Sequence, residues 1–318
     1  MFFVLLPCLA ITGYYIINWL IHHPKIDQYT KRYVLITGCD TGFGNLLAKR
    51  LDGLGFHIFA GCLTKAGEQE LDYSTSDNLK TLALDVAKLE SIQNAYDFVL
   101  ANIPNDCGLW GLVNNAGMSC PLGPAEWLRV EQYQEVLSVN LFGMVEMTRV
   151  FFPLLKKAGV ARIVNMSSTL GLLSISGIGP YCISKHGVEA YSDCLRRQLY
   201  KTNIKVSMIE PSGFRTNIVD KENESLRGSY STEPEMTAGA AGTSYINKEV
   251  MNEMHSRISP NLSLVVDAYE HALTAKVPKS RYLVGDLSND VYFVKLFAFV
   301  VPTWIADAIL PCPFYTSK

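Results

Sequence analysis

Tyr181 and Lys185 stand four residues apart in the segment SSTLGLLSISGIGPYCISK, which begins at Ser167 and also carries the hydroxyl of Ser168. On a helix, a Tyr-x-x-x-Lys pair projects from one face about a turn apart. An ammonium beside a phenol favours the phenolate and lowers a tyrosine pKa from about 10. The phenol can then give or take a proton nearer neutral pH. Singly, each residue has a plainer reading: a half-buried helix tyrosine, a solvated lysine, a serine capping a turn. They become a chemical device only if other elements arrange them around one space.

From about Lys31 the chain alternates buried-strand runs with helical patterns. The runs are RYVLITG, HIFAGCL, TLALDV, GLWGLVNNAG, ARIVNMSS, IKVSMIEPSG and SRYLVG. Continuous apolar runs are strands covered on both faces. Helical patterns over GNLLAKRLDGLG, ESIQNAYDFVLANI, VEQYQEVLSVNLFGMVEMTRVFFPLLKKAG and KHGVEAYSDCLRRQLYK separate several of them. The expected class is α/β: a doubly wound, Rossmann-type, mostly parallel sheet with helices on both faces. The first run leads into TGCDTGFG, with glycines at 38, 42 and 44. There, backbone N–H groups at a helix start can approach a pyrophosphate. The spacing is Gly-x-x-x-Gly-x-Gly, not the broader G-x-G-x-x-G.

These motifs together resemble the short-chain dehydrogenase/reductase family. Thr37, Gly38, Gly42 and Gly44 match its Thr-Gly-x-x-x-Gly-x-Gly; Asn114, Asn115, Ala116 and Gly117 match its Asn-Asn-Ala-Gly; Tyr181 and Lys185 match its Tyr-x-x-x-Lys. The resemblance implies a catalytic set of Asn140, Ser168, Tyr181 and Lys185. In it Tyr181 carries the proton, Lys185 also holds the nicotinamide ribose, Ser168 binds the substrate oxygen, and Asn140 holds a water on the proton path. The same resemblance implies cofactor contacts from Gly38, Asp40, Thr41, Gly42, Phe43, Gly44, Cys62, Asp85, Asn115, Ala116, Gly117 and Thr216, besides Tyr181 and Lys185. Asp85, in LDV, would meet the adenine or cap a helix. One departure stands at Pro211-Ser212-Gly213, where the family has Pro-Gly; Thr216 keeps its place.

An acid at the tip of the second strand selects NAD, and a base accommodates the phosphate of NADP. That tip reads Cys62-Leu63-Thr64, with Lys65 next, so the residues leave the choice open. The text FAGCLTKAG is more similar to NAD-using members, and NAD is the expected cofactor, with NADP not excluded. Within the family the chain is most similar to membrane-anchored retinol dehydrogenases and to the 17-beta and 3-alpha hydroxysteroid dehydrogenases. This implies a hydride exchange with a lipophilic alcohol or carbonyl, retinol or a hydroxysteroid. A 3-hydroxybutyrate-type dehydrogenase, with Arg215 as the cation for a small anion, is one alternative. A membrane-tethered protein that binds cofactor without turnover is another.

Residues 2–21 carry no charged side chain, about the length that spans a bilayer, with Tyr14, Tyr15 and Trp19 near one end. No basic n-region or A-x-A site marks it for cleavage, so residues 1–22 read as an uncleaved membrane anchor. Lys25, Lys31 and Arg32 follow and place the domain on the cytoplasmic side, with the endoplasmic reticulum implied by the resemblance. The rest, 29–318, reads as one dehydrogenase domain with a lid at 217–259 and an apolar, Pro302-interrupted segment at 291–314. Asn223 and Asn261 head formal glycosylation sequons, and glycan on either would overturn a cytoplasmic domain; Asn165 heads another, in a predicted buried strand.

The chain has 318 residues, net charge −2 and no long basic run, which argues against a nucleic-acid partner. Its 8 cysteines contain no C-x-x-C pair and the histidines no ligand spacing, so neither a disulfide framework nor a metal is expected. The expected partners are a lipophilic small molecule and the membrane, with a homodimer as a further option.

Overall fold

The computed structural model describes residues 12–13, 16–121, 123–216 and 258–286. The anchor expected over 1–22 therefore falls only partly within the described residues. The 217–259 lid lies outside them except for its last two residues, and the 291–314 segment lies wholly outside.

Among the described residues seven strands form one sheet: β1 (Tyr33–Thr37), β2 (His57–Cys62), β3 (Leu79–Ala83), β4 (Leu109–Asn114), β5 (Ala161–Met166), β6 (Ile204–Pro211) and β7 (Arg281–Val284). Their order is β3-β2-β1-β4-β5-β6-β7, and every neighbouring pair is parallel. The seven expected runs are all strands. The order reverses on either side of β1, so a crevice opens between the carboxyl ends of β1 and β4, where doubly wound sheets bind ligands.

Among the described residues the helices of the domain are α1 (Gly42–Gly53), α2 (Lys65–Ser74), α3 (Leu89–Asn102), α4 (Val130–Leu137), α5 (Met144–Lys157), α6 (Gly179–Gln198) and α7 (Ser263–Thr274). Alternation along β1 divides the core in two. Val34 and Ile36 pack with Leu47 and Leu51 of α1 and with Val265, Tyr269 and Leu273 of α7. Leu35 faces the other way, toward Ile92 and Val99 of α3 and Met147, Phe151 and Leu154 of α5. Each such side chain contributes about 1.5–3 kcal/mol when fully buried, so both layers are pinned to the sheet.

Three details differ from the sequence expectations. Helix α2 is a full element where no helical pattern stood out, because its solvent face is strongly polar. Helix α6 starts at Gly179, not Lys185: Pro180 sits in its first turn, where a missing N–H costs nothing. The long helical run 130–157 is interrupted at Ser138–Gly143 by a π-helical turn. That run is long and apolar enough to cross a membrane, but it packs on the sheet through Met147, Phe151 and Leu154 and is a core helix.

Residues 16–22 are helical, and the link behind them is fastened to the domain. The Ile26 N–H donates to the Thr274 carbonyl at 2.7 Å and the Lys276 N–H to the Pro24 carbonyl at 2.8 Å. Lys25 pairs with Glu270 at 2.8 Å, and the Arg32 guanidinium lies 3.7 Å from the Trp110 ring centroid. Two of the three cations that follow the apolar stretch are thus held by the domain itself.

Candidate active site

The β1–α1 turn builds the floor. Gly38 and Gly42 both have φ near +70°, at 71° and 65°, the left-handed region that glycine enters freely. A Cβ on Gly38 would lie 2.8 Å from the Cα of Ala116, so only glycine lets the two loops approach. Thr41 precedes α1 without capping it through its side chain, so the first N–H groups of the helix are left for another acceptor. A pyrophosphate is the acceptor such a helix start suits. The donor set and glycine geometry fit a dinucleotide.

The β4 end is stitched to this floor by Thr37, a motif residue not among the expected cofactor contacts. Thr37 Oγ1 accepts from the N–H groups of Asn115 at 3.0 Å and Ala116 at 2.9 Å. Asn115 Nδ2 donates to the carbonyls of Thr37 at 2.9 Å and Gly38 at 3.0 Å. Its Oδ1 accepts from the hydroxyl of Tyr269, a fully buried α7 side chain, at 3.2 Å. Nothing local in the VVDAYEHAL stretch signals Tyr269, since an apolar helix face reads as core.

The tip of β2 resolves differently from its sequence. Cys62 is fully buried, so its side chain faces the core, and burial pushes its thiol up to about 12. The acid at that tip comes from the glycine loop: Asp40 accepts from the N–H groups of Leu63 and Thr64, each at 2.8 Å, and from the Thr64 hydroxyl at 2.6 Å. Lys65, the nearest base, pairs with Glu68 at 2.7 Å. Asp85 lies beyond the end of β3. It accepts from the Ala87 N–H at 3.0 Å and pairs with Lys88 at 2.9 Å, while Lys88 itself is the N-cap of α3. Thr216 places its methyl 3.7 Å from where a Gly42 side chain would begin, so it stands over the glycine loop. The edge of Phe43 meets Phe214 with ring centroids 5.8 Å apart.

The residues expected to react come from the segments that follow β4 and β5. Ser168 caps a short turn, Thr169–Gly171, accepting from the Leu170 N–H at 3.2 Å; its hydroxyl reaches the Pro211 carbonyl at 3.4 Å. Lys185 is fully buried on α6, and its ammonium donates to the Met166 carbonyl at 2.9 Å. Burial lowers its pKa to about 8, against an opposing pull from Glu189. The ammonium sits 5.5 Å from the centroid of the Tyr181 ring, and Tyr181 itself is half-buried. Asn140, in the π turn, is fully buried: its Oδ1 accepts from the Met118 N–H at 2.8 Å, and its Nδ2 donates to the Met118 carbonyl at 3.0 Å and Ser184 Oγ at 3.1 Å. A side chain on Gly117 would start 3.5 Å from Asn140 Oδ1 and 3.9 Å from Lys185 Nζ, so this glycine keeps their shared space clear. Such a set can take a proton from a hydroxyl and pass it toward a lysine. Among the described residues no cluster of His, Cys, Asp and Glu could hold a metal.

Comparison with known proteins agrees with this geometry. The short chain dehydrogenase family model matches residues 32–227. The chain is 43% identical to retinol dehydrogenase 7 of Rattus norvegicus over 307 residues, 95% of each chain. It is 41% identical to 17-beta-hydroxysteroid dehydrogenase type 6 of Homo sapiens over 301 residues, 93% of each. A short chain dehydrogenase/reductase from Burkholderia phymatum, solved with NAD, shares the fold with a TM-score of 0.69 at 21% identity, covering 92% of this chain and 99% of that one. A dinucleotide floor beside a Tyr-x-x-x-Lys helix, along a chain similar from end to end to named dehydrogenases, marks a nicotinamide-dependent alcohol dehydrogenase, and the chain belongs to the short-chain dehydrogenase family.

Proposed function

We propose that this enzyme interconverts a lipophilic alcohol and its carbonyl, of the retinol or hydroxysteroid class, using NAD at a membrane surface. The observation that carries the reading is that Asn140 Oδ1 and Lys185 Nζ border one space beside Gly117, with the Tyr181 ring 5.5 Å from that ammonium. The full-length similarity to a retinol dehydrogenase and a hydroxysteroid dehydrogenase supports the substrate class.

Bound NAD supplies the hydride acceptor for the alcohol carbon. Ser168 holds the substrate oxygen by its hydroxyl, turning away from the Pro211 carbonyl. Tyr181 removes the hydroxyl proton, and the buried Lys185 ammonium stabilises the resulting phenolate. Asn140 keeps the loop at Met118 fixed and borders the space through which a water can relay the proton. Gly38, Thr41, Gly42, Phe43 and Gly44 hold the pyrophosphate side, Asp85, Asn115, Ala116 and Gly117 line the groove, and Thr216 reaches the carboxamide.

Asp40 supports NAD over NADP. Its carboxylate stands at the β2 tip, where an acid hydrogen-bonds a ribose 2′-hydroxyl and repels a 2′-phosphate. In Asp40→Asn the ratio of kcat/KM for NAD to that for NADP should fall roughly 10–100-fold, the worth of a charged hydrogen bond plus the lost repulsion. An unchanged ratio would remove Asp40 from cofactor choice.

Ile16, Ile17, Trp19, Leu20 and Ile21 are 47–59% exposed, the composition of a lipid-facing surface. They support a membrane anchor at 1–22; the reading also includes the endoplasmic reticulum as its membrane, a domain at 29–318 facing the cytoplasm and a lid at 217–259. A homodimer belongs to the same reading. The deciding experiment assays membranes carrying the protein against retinol, androgen-type steroids and 3-hydroxybutyrate, each with both cofactors. Oxidation of retinol or a steroid with NAD is the expected result; activity on 3-hydroxybutyrate alone would overturn it.

A further inference from the structure

Behind the residues expected to react lies a partly buried charge cluster that the reaction does not use directly. Ser167, next to Ser168, donates its hydroxyl to Glu189, one turn beyond Lys185 on α6. Arg281, the first residue of β7, donates to both Glu189 and Glu210, and also pairs with Asp193 at 3.2 Å. Glu210 is only 2% exposed and precedes Pro211, whose carbonyl faces the Ser168 hydroxyl. Gly171 closes the arrangement: a side chain there would start 2.8 Å from Ser167 Oγ, 3.0 Å from Glu189 Cγ and 3.0 Å from the Lys185 carbonyl.

The segments that carry Ser168, Tyr181 and Lys185 are thus tied to one cluster, the end of β5 through Ser167 and α6 through Glu189, and the end of β6, whose Pro211 carbonyl faces Ser168, joins it through Glu210. The buried centre of the cluster carries one negative charge in excess. The side chains facing Glu210 are Glu189 from α6 and Arg281 from β7. Asp193 shares Arg281 and is further paired with Arg196 and Arg197, each at 3.2 Å, while Lys185 feels the cluster through Glu189. At the centre, two buried glutamates within hydrogen-bond reach share one arginine. Two like charges held that close disfavour double ionisation.

We propose that Glu189, Glu210 and Arg281 are positioning residues for the dehydrogenase reaction, and that one proton shared by the two glutamates holds the Ser168 turn, α6 and the end of β6 in register. The proposal rests on the catalytic reading of Ser168, Tyr181 and Lys185 above. Burial, then the facing Glu189, hold the Glu210 carboxyl at about 7, so the shared proton leaves within the neutral range. Because this pKa is raised on folding, its stabilising contribution is present below the ordinary carboxylate range and is lost as pH rises through about 7.

Two readouts on the NAD-bound, full-length enzyme test this. First, the thermal midpoint of the wild type relative to Glu210→Gln should fall as pH rises from about 5 to about 8, since glutamine cannot release the proton. Second, the wild-type kcat should show an inflection of about threefold near pH 7 that Glu210→Gln lacks. Arg281→Met should lower kcat about tenfold with a smaller loss of NAD affinity, because the glycine-loop floor lies on β1 to β4 and only the nicotinamide end meets Lys185 and Thr216 on the tethered segments, and Arg281→Lys should recover part of the loss. Parallel thermal-midpoint curves, or a neutral-range inflection that persists in Glu210→Gln, would overturn the proposal. A wild type inactive on every alcohol would sink the catalytic reading instead, while the thermal comparison would still decide whether the proton is shared.

Discussion

Tyr181→Phe is expected to slow alcohol oxidation by roughly 10²–10⁴-fold, the usual worth of a positioned general acid or base. Cofactor affinity should change little. Phenylalanine keeps the ring that faces Lys185 and removes only the group that receives the proton. Lys185 keeps its own tie to the Met166 carbonyl and so does not need the phenol to stay in place. Single-turnover oxidation of retinol, set beside NADH binding followed by fluorescence, separates the two effects. Residual turnover within tenfold of the wild type would mean that another group carries the proton.

The second large effect is expected from Gly44→Ala. The new Cβ would lie 2.5 Å from Asn115 Nδ2 and closer still to the Gly38 carbonyl oxygen, and neither can move without opening the floor. The Asn115 amide is the bridge between Thr37, Gly38 and Tyr269, so the methyl displaces a clamp and not a loose side chain. NAD affinity should fall at least about tenfold, with a lower thermal midpoint, as expected for overpacking by about 1–3 kcal/mol. Gly42→Ala is the informative control. Its Cβ would meet only the Thr216 side chain, at 3.7 Å and beyond, leaving the strain of a left-handed residue, about 1–2 kcal/mol. Equal damage from both would indicate that backbone strain, not the Asn115 clamp, sets the cost.

What could be read in the chain depended on whether the information was local. The strands were legible because burial on both faces writes itself as an unbroken apolar run, as in RYVLIT and GLWGLVN. Tyr181 and Lys185 were legible because a helix fixes their separation. Asp40 was noticed as part of the glycine loop, but its place at the tip of β2 was not. That place exists only once the loop folds across to the backbone of Leu63 and Thr64. A search for an acid along β2 itself therefore finds Cys62, which the core has taken. Tyr269 and Arg281 escaped notice for a related reason: each acts on residues far away in sequence, 154 positions for Tyr269 to Asn115 and 92 for Arg281 to Glu189. Helix α2 escaped because its buried stripe is only Gly67 and Leu71, too narrow to show a period.

The π turn at Ser138–Gly143 has a consequence for how this chain tolerates changes in length. A π turn accommodates one residue more than the α-helix around it needs. Removing one residue between 138 and 143 would let the ladder close as regular helix. The flanks α4 and α5 would keep their facing, since the turn absorbs its surplus locally, but Asn140 would lose the widened backbone that aims it at Met118 and Ser184. Elsewhere a surface helix absorbs a deletion by fraying at its end. Here both ends are spoken for, one by the sheet and one by the site, so the surplus residue is a fixed length standard for the active site.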